Sequence, residues 1–165
     1  MRPLISRFFT ELHKTTMKPL GFRKERHRFV RENGDRTEIV DFQGSSWNSR
    51  EGPWRFYINI AIGFHDVPHK AGKGLWSCAH ACGRIGALVK DASPHFDLDD
   101  KSYSTLMHMI PELIAAAMAA LPPVLPRAHE RARQGFLFSP LPVPGTWDDD
   151  TQQAAPADVP GAARP

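Results

Sequence analysis

The chain has 165 residues, of which 41% are hydrophobic and 24% are charged, and its formal net charge at pH 7 is +3. This length and composition predict one folded domain and exclude a wholly disordered protein. The net charge is too small to indicate nucleic-acid binding by itself, because proteins of that class concentrate positive charge on one surface.

The N-terminal part predicts a helix followed by a basic hairpin. Apolar residues recur at intervals of three and four over residues 3–18, which is typical of an amphipathic helix. A basic strand region is expected over residues 22–32, with an interruption near residues 25–27. An Asn-Gly-Asp sequence then predicts a tight turn at Gly34, followed by a return strand over residues 36–42.

The most regular pattern is an alternation over residues 56–65, which predicts a strand with two different faces. One face carries apolar side chains that can pack against helices, namely Phe56, Ile58, Ile60, Ile62 and Phe64. The other face is small and polar and carries Tyr57, Asn59, Ala61, Gly63 and His65. A loop over residues 44–53 precedes this strand and contains Trp47.

The C-terminal part predicts an irregular strand, a long helix and a short helix. Two glycines favour an irregular or bulged strand over residues 75–89. The long helix is expected after Asp99 or Asp100, either of which could cap it. Its apolar stripe passes through Pro111, which predicts a kink or a break into two collinear helices. A short helix is expected over residues 127–134.

Together these elements predict an α+β domain. We expect an antiparallel sheet of about four to five strands, with the N-terminal helix and the long C-terminal helix packed on one face. The domain is expected over residues 1–138, and a Pro/Ala/Asp-rich tail over residues 139–165 is expected to be disordered. The N-terminus lacks a secretory signal pattern, and the apolar stretch over residues 110–125 is too short to span a membrane. A cytoplasmic protein without a membrane role is therefore expected.

Several separated segments coincide with one family pattern. They are Pro-Leu-Gly-Phe at residues 19–22, Phe29, Gln43 with Ser-Ser-Trp at residues 45–47, Phe-Tyr-Ile-Asn-Ile at residues 56–60, and Arg-Ile-Gly at residues 84–86. In order and spacing, these segments resemble the bacterial "domain of unknown function 4304" family over residues 10–126. The resemblance implies a single small cytoplasmic domain, and it brings no established activity, cofactor or catalytic residue.

The polar strand face and its rim are the predicted binding site. The candidate residues are Gln43, Trp47, Tyr57, Asn59, His65 and Arg84. An amide, a phenol, an imidazole and a guanidinium beside a tryptophan make a recognition surface for a protein or a small ligand. The structural alternative is that Gln43 and Asn59 bond to neighbouring strands and loops while Arg84 pairs with Asp41. A bulge near Gly83 would also change the direction of Arg84.

The leading hypothesis is therefore a non-catalytic binding or interaction domain, such as an immunity or accessory protein. An enzyme that uses histidine and carboxylate groups around His65 or His95 is the second hypothesis. Asp97, Asp99 and Asp100 follow His95, but a solvated loop with a helix cap explains them, because the pattern of a calcium loop is missing. The sequence contains no nucleophile or phosphate-loop motif, so no catalytic residue is predicted.

The candidates for a metal site are Cys78, His80 and Cys82, which alternation on a strand would place on one face. Ligands two residues apart on a strand are about 6–7 Å apart, which is wide for a shared tetrahedral ion. A metal would also need a further ligand such as His65, His69 or His95. We therefore predict no metal and no cofactor, and we expect both cysteines to be small buried residues.

Nucleic-acid binding is the third hypothesis, and it rests on the basic first hairpin. The positive residues of this region are Lys18, Arg23, Lys24, Arg26, Arg28, Arg31 and Arg36. Glu25, Glu32 and Asp35 offset them in part. Charged edge strands also keep sheets from pairing with one another, and this structural role is the commoner reason for such a strand.

Overall fold

The computed structural model describes residues 2–49, 51–69, 79–136 and 139–141. Helix α1 covers Arg2–Leu12 and continues into a wider helical turn, His13–Met17. The helix ends where Gly21 adopts a φ of +84°, because the amide of Phe22 then reaches back to the carbonyl of Met17 at 2.9 Å. The helix predicted over residues 3–18 is confirmed, with its last turn wider than an α-helical turn.

In the part of the chain that the structure describes, seven strands form one sheet. They are β1 (Arg23–Glu25), β2 (Arg28–Asn33), β3 (Arg36–Gly44), β4 (Trp54–Phe64), β5 (Ala81–Arg84), β6 (Phe96–Leu98) and β7 (Ser139–Pro140). The spatial order is β1-β2-β3-β4-β5-β7, and β6 pairs with β4. All pairs are antiparallel except β5 with β7. The predicted α+β class and antiparallel sheet are confirmed, and only the short strands β6 and β7 were not predicted.

Strands β5 and β6 lie along the same edge of β4. Arg84 of β5 stands opposite Asn59, and Phe96 of β6 stands opposite Phe56. Between these strands the chain leaves the sheet through a 3-10 turn, Ile85–Ala87, and a loop. The predicted bulge near Gly83 is not present in β5, because Gly83 pairs regularly with β4. Arg84 is therefore the last residue of a regular strand.

Within the described residues, two further helices lie between β6 and β7 in the chain. Helix α2 covers Tyr103–Ala120, and helix α3 covers Leu125–Arg133 after a 3-10 turn, Pro122–Val124. Ser102 is the N-cap residue of α2, and Asp99 holds the turn before it, because its Oδ1 accepts the amide protons of Lys101 at 3.0 Å and Ser102 at 2.7 Å. These hydrogen bonds lower the pKa of the Asp99 carboxyl.

Of the kink or break predicted at Pro111, the break into two helices is wrong, since α2 runs through this residue as one helix. Proline removes one backbone hydrogen bond from a helix. The packing of the buried side chains Leu106 and Ile110 before it and Ile114 after it holds both halves against the same core. The interruption comes instead at the consecutive prolines Pro122 and Pro123.

The main core lies between the helices α1 and α2 and one face of the sheet. Aromatic rings fill its centre, where Phe8 and Phe9 of α1 meet Phe42 and Phe56 of the sheet with ring centroids 5.1 to 6.5 Å apart. The hydroxyl of Tyr103 donates to Glu11 at 2.6 Å and links α2 to α1. The apolar face predicted for β4 is thus covered as expected.

The helical stretch Tyr103–Arg133 is long and apolar enough to cross a membrane. This is weak evidence for a span, because the core helix of a soluble protein passes the same test. The stripe of Leu106, Ile110 and Ile114 belongs to the main core, which favours the role of a core helix.

The face of the sheet opposite the helices is open only in part. A second, small apolar cluster is buried there and consists of Val30, Ile39, Ala61, Ala79 and Cys82. The polar residues of β3 and β4 continue this face toward the loop that joins these two strands. The exposed polar surface is therefore smaller than the alternation in β4 alone suggests.

The C-terminal segment returns to the sheet. Ser139 and Pro140 pair with Ala81 and Cys82, and the amide of Leu141 donates to the carbonyl of Cys82 at 3.0 Å. Leu141 is buried. The sheet therefore extends into the segment expected to be a disordered tail, whose remaining residues, 142–165, lie outside the described residues.

Candidate functional site

The structure brings together four of the six predicted binding residues on the partly open face. We call Gln43, Tyr57, Asn59 and Arg84 the polar patch. Gln43 stands opposite Tyr57 across β3 and β4, and Asn59 stands opposite Arg84 across β4 and β5. Because side chains alternate along a strand, Tyr57 and Asn59 share one face, and the register places their partners on it.

Asn59 is the buried support of the polar patch. Only 4% of its surface is exposed, and its Nδ2 donates to Oε1 of Gln43 at 3.3 Å and to Oδ2 of Asp41 at 3.4 Å. Burying an amide without such partners would be costly. The structural alternative is thus confirmed for Gln43 and Asn59, which hydrogen-bond across neighbouring strands.

The predicted pair between Arg84 and Asp41 is wrong. Asp41 pairs instead with Arg28, whose Nε lies 3.2 Å from Oδ1, because register places these two residues directly opposite each other. The guanidinium of Arg84 lies over the ring of Tyr57, with its Cζ 4.1 Å from the ring centroid. This distance is typical of a cation–π contact. The contact holds the exposed guanidinium of Arg84 over the polar patch.

Trp47 stands at the end of the hairpin that joins β3 and β4, and 91% of its surface is exposed. The loop that carries it is firmly held. Both ends of the Asn48 amide bond to Arg55, with Nδ2 donating to the Arg55 carbonyl and Oδ1 accepting from the Arg55 amide, each at 2.8 Å. The amide of Trp47 also donates to the Ser45 hydroxyl at 3.2 Å. An apolar side chain is thus held in solvent by an ordered loop.

His65 lies apart from the polar patch. It follows the end of β4, six residues from Asn59, which corresponds to about 20 Å along an extended strand. Its Nε2 lies 3.0 Å from Oε2 of Glu32 and 3.1 Å from the hydroxyl of Thr37. The hydrogen bonds from Thr37 and His65 lower the pKa of the Glu32 carboxyl. His65 therefore belongs to a separate polar cluster.

The metal candidates are only partly within the described residues, because Cys78 lies outside them. His80 is 1% exposed, and both of its ring nitrogens have partners: Nδ1 accepts the amide proton of Phe64 at 2.9 Å, and Nε2 lies 3.3 Å from the carbonyl of Pro68. Burial raises the pKa of the Cys82 thiol. Within the described residues, no group of three or more His, Cys, Asp or Glu side chains could hold a metal ion.

The acidic loop near His95 has structural partners. Asp97 holds Arg55 through two bonds of 2.8 and 3.0 Å, and this guanidinium lowers the pKa of the Asp97 carboxyl. Two open depressions lie elsewhere. One of about 520 Å³ follows the polar side of α1, and one of about 400 Å³ lies between the segment after β4 and the end of α3. The residues that line them include neither His65 nor His95.

The basic hairpin is largely neutralised by its own carboxylates. Sequence reasoning missed the most important of these, Glu38, which is 1% exposed. Its carboxylate accepts from Arg31 at 2.7 Å, from Arg36 at 2.9 Å and from Asn33 at 2.8 Å. The turn at Gly34 places Arg31 opposite Glu38, so the hairpin register could have revealed this pair.

A family model described as "Domain of unknown function (DUF4304)" matches residues 13–124. The chain belongs to this family. The match covers every strand from β1 to β6 and helix α2, and therefore includes the whole polar patch and the Trp47 loop. Comparison with curated proteins and comparison with solved structures both give no match.

Proposed function

We propose that this member of the DUF4304 family is a non-catalytic binding domain that contacts a partner protein through Trp47 and the polar patch. The observation that carries the proposal is the exposure of Trp47 at 91% on a loop held by the hydrogen bonds of Asn48. Tryptophan is among the residues most enriched at the energetic centres of protein interfaces. In the free protein the exposed indole lacks the favourable free energy that burial would provide, and a partner that covers the ring would provide it.

The order of the loop supports binding more than chance exposure. Association costs free energy when side chains and loops become ordered at the interface. The bonds between Asn48 and the Arg55 backbone order the segment around Trp47 in the free protein, so this cost is reduced. A loop without a binding role gains nothing from presenting a tryptophan in this way.

The proposed role is that of an immunity or accessory protein in the cytoplasm, with another protein as the partner. The shape of the site favours a protein over a small ligand, because small-ligand sites are enclosed pockets. The two depressions described above do not include the polar patch or Trp47. The polar patch lies on a face of the sheet beside an exposed indole ring, and aromatic residues are enriched at protein interfaces.

Replacement of Trp47 by alanine tests the proposal. Proteins captured from a lysate of the source cells by the wild-type domain are identified by mass spectrometry, and the purified partner is then titrated by calorimetry. Trp47→Ala is expected to weaken binding by about 30-fold or more, because residues at interface centres contribute about 2 kcal/mol or more. The melting temperature should stay close to that of the wild type, since the side chain is exposed.

The matched control is Phe136→Ala, which removes another exposed aromatic ring, 54% exposed, beyond α3. Its affinity for the partner should equal that of the wild type. The proposal is wrong if Trp47→Ala binds the partner as tightly as the wild-type domain, or if both substitutions weaken binding equally.

A further inference from the structure

The arginines on the partly open face differ in whether a carboxylate neutralises them. Arg23 lies 3.0 Å from Glu25, Arg28 lies 3.2 Å from Asp41, and Arg55 lies 2.8 Å from Asp97. Arg84 shares this face but has no carboxylate partner among the described residues. It is also the arginine that lies on the polar patch itself.

The contact with Tyr57 orients Arg84 without using its hydrogen-bond donors. A guanidinium that stacks on a ring keeps its N–H groups in the guanidinium plane. The Tyr57 ring, 4.1 Å from Cζ, therefore fixes the side chain while its donors stay available to a ligand. A guanidinium held in this way can bind a carboxylate through two parallel hydrogen bonds.

Gln43 adds further donors beside Arg84. Its Oε1 accepts from the buried Asn59 at 3.3 Å, which directs the acceptor end of the amide into the sheet. The amino end of Gln43 has no acceptor among the described residues, and the hydroxyl of Tyr57 likewise has no partner there. The polar patch thus offers solvent mainly donors, and an ionised carboxylate is a ligand that has only acceptors.

We infer that the polar patch binds an aspartate or glutamate side chain from an acidic segment of a partner protein, with Arg84 as the residue that recognises its carboxylate. The inference rests on the proposed function and specifies the chemistry of the partner. Trp47 lies on the loop that begins after Gly44, the neighbour of Gln43 at the end of β3, so an apolar residue of the same segment would contact the indole.

A phosphate of nucleic acid is a less suitable occupant. A nucleic-acid backbone requires several positive charges along its path. On the patch face Arg23, Arg28 and Arg55 are paired with carboxylates, and on the other face Arg31 and Arg36 share the buried Glu38. The polar patch itself contains one guanidinium, that of Arg84, and one guanidinium beside a tryptophan suits one acidic side chain in a protein segment.

Selection from a phage-displayed library of random dodecapeptides tests the inference even though the natural partner is unidentified. The full-length wild-type chain, Trp47→Ala, Arg84→Gln and Arg84→Lys are each immobilised, and Arg133→Gln on α3 is the matched control. The wild type and the control should select the same peptides, enriched in Asp and Glu. Arg84→Gln should lose the acidic preference and still select apolar residues that depend on Trp47.

A synthetic peptide from the enriched set, titrated by fluorescence anisotropy, provides the second measurement. Arg84→Gln is expected to bind it about tenfold or more weakly than the wild type, because a charge-assisted bidentate contact is lost. Arg84→Lys should be intermediate, because it keeps the charge and loses the planar fork. Circular dichroism confirms that each variant is folded.

The possible outcomes separate the two proposals. Peptides that depend on Trp47 but show no acidic preference overturn the role of Arg84 and leave the proposed function standing. Peptides whose selection is unaffected by Trp47→Ala overturn the proposed function. A uridine dodecamer that binds as tightly as the peptide, and loses affinity in Arg84→Gln, assigns the patch to nucleic acid instead.

The acidic stretch of this same chain is the remaining competitor. Asp148, Asp149 and Asp150 are consecutive in the sequence. A full-length variant with D148N, D149N and D150N should bind the peptide as the wild type does. A tenfold gain in its affinity would mean that the chain's own carboxylates compete for Arg84, which would overturn the assignment to a partner protein.

Discussion

Glu38 is a buried carboxylate shared by two arginines and an asparagine. Arg31 and Arg36 approach different oxygens of this carboxylate at 2.7 and 2.9 Å. Arg31 also donates to the carbonyl of Leu20 at 2.8 Å and lies over the ring of Phe22, so the network reaches from the first hairpin to the end of α1. Removing one member of a buried ionic network leaves the others without compensation.

Glu38→Gln is therefore expected to destabilise the fold by about 3 kcal/mol or more. The glutamine fits the same space, so the loss reflects the missing charge between two guanidinium groups, of which Arg36 keeps only the exposed Asp35 at 3.5 Å as a carboxylate partner. Urea denaturation at neutral pH measures the free energy of unfolding. Glu32→Gln is the control, because its pairs with Arg23 and His65 are exposed, and it should cost less than about 1 kcal/mol. Equal losses for both variants would contradict the prediction.

His80 is buried as a neutral imidazole with one defined tautomer. Its Nδ1 accepts the amide proton of Phe64, so Nε2 carries the proton and donates to the carbonyl of Pro68. Protonation of the ring would place a proton on Nδ1, which would then face the backbone N–H of Phe64, a second hydrogen-bond donor. Burial is the main cause that lowers the pKa of His80 from its ordinary value of 6.5.

This lowered pKa predicts a loss of stability in mild acid. The unfolded chain binds the proton near pH 6.5, whereas the folded chain resists it until the pH falls to the lower folded pKa. The free energy of unfolding should therefore fall as the pH decreases below 6.5, by at most about 1.4 kcal/mol per pH unit for this one group. His80→Gln should reduce this slope, as measured by urea denaturation between pH 5 and pH 8.

His108→Gln serves as the control, because His108 is exposed on α2 and its replacement should leave the slope unchanged. Some slope should persist in His80→Gln, since burial also lowers the pKa of His27. An unchanged slope in His80→Gln would show that the buried imidazole does not control the acid response.

The loop between β3 and β4 depends on one side chain for its shape. Asn48 spans the base of the loop and bonds to both backbone groups of Arg55 at 2.8 Å. The carbonyl of Arg55 also accepts the amide proton of Ser45 at 2.9 Å, which closes the hairpin. The position of Trp47 therefore depends on a contact made by its neighbour.

Asn48→Ala should loosen the loop with only a small effect on the rest of the fold. Two hydrogen bonds are lost, at about 0.5–1.5 kcal/mol each. Amide hydrogen exchange should accelerate at Arg55, whose amide loses its acceptor, while exchange in β2 stays close to that of the wild type. Ser46→Ala is the control within the same loop, and its exchange should not change. Slow exchange at Arg55 in Asn48→Ala would show that other contacts hold the loop.

The sequence was sufficient for those features that depend on neighbouring residues. The alternation in β4 correctly separates Phe56 and Ile58 from Tyr57 and Asn59, because side-chain direction follows directly from strand geometry. The turn at Gly34 and the role of Asp99 at the start of α2 were predictable for the same reason, since a local backbone conformation or hydrogen bond defines each of them.

The missed features depend on pairing between distant segments. The partner of Asp41 is Arg28 and not Arg84, a choice that the register of β2 with β3 decides. His65 is separated from Asn59 by the length of the intervening part of β4. The alternation predicts which face a side chain lies on, but it does not show how far apart two residues of that face are. Strand β6 has only three residues and carries no period long enough to recognise.

The parallel pairing of β7 with β5 has a consequence for the order in which the molecule forms. Residues 139–140 pair with Ala81 and Cys82 across the intervening helices α2 and α3, and contacts between such distant segments form slowly. During synthesis the segment with β7 and Leu141 leaves the ribosome after the rest of the sheet. The edge of β5 that β7 later occupies is therefore unpaired in a nascent chain whose strands β1 to β6 have all been synthesised, and it is an additional edge at which such chains can associate prematurely.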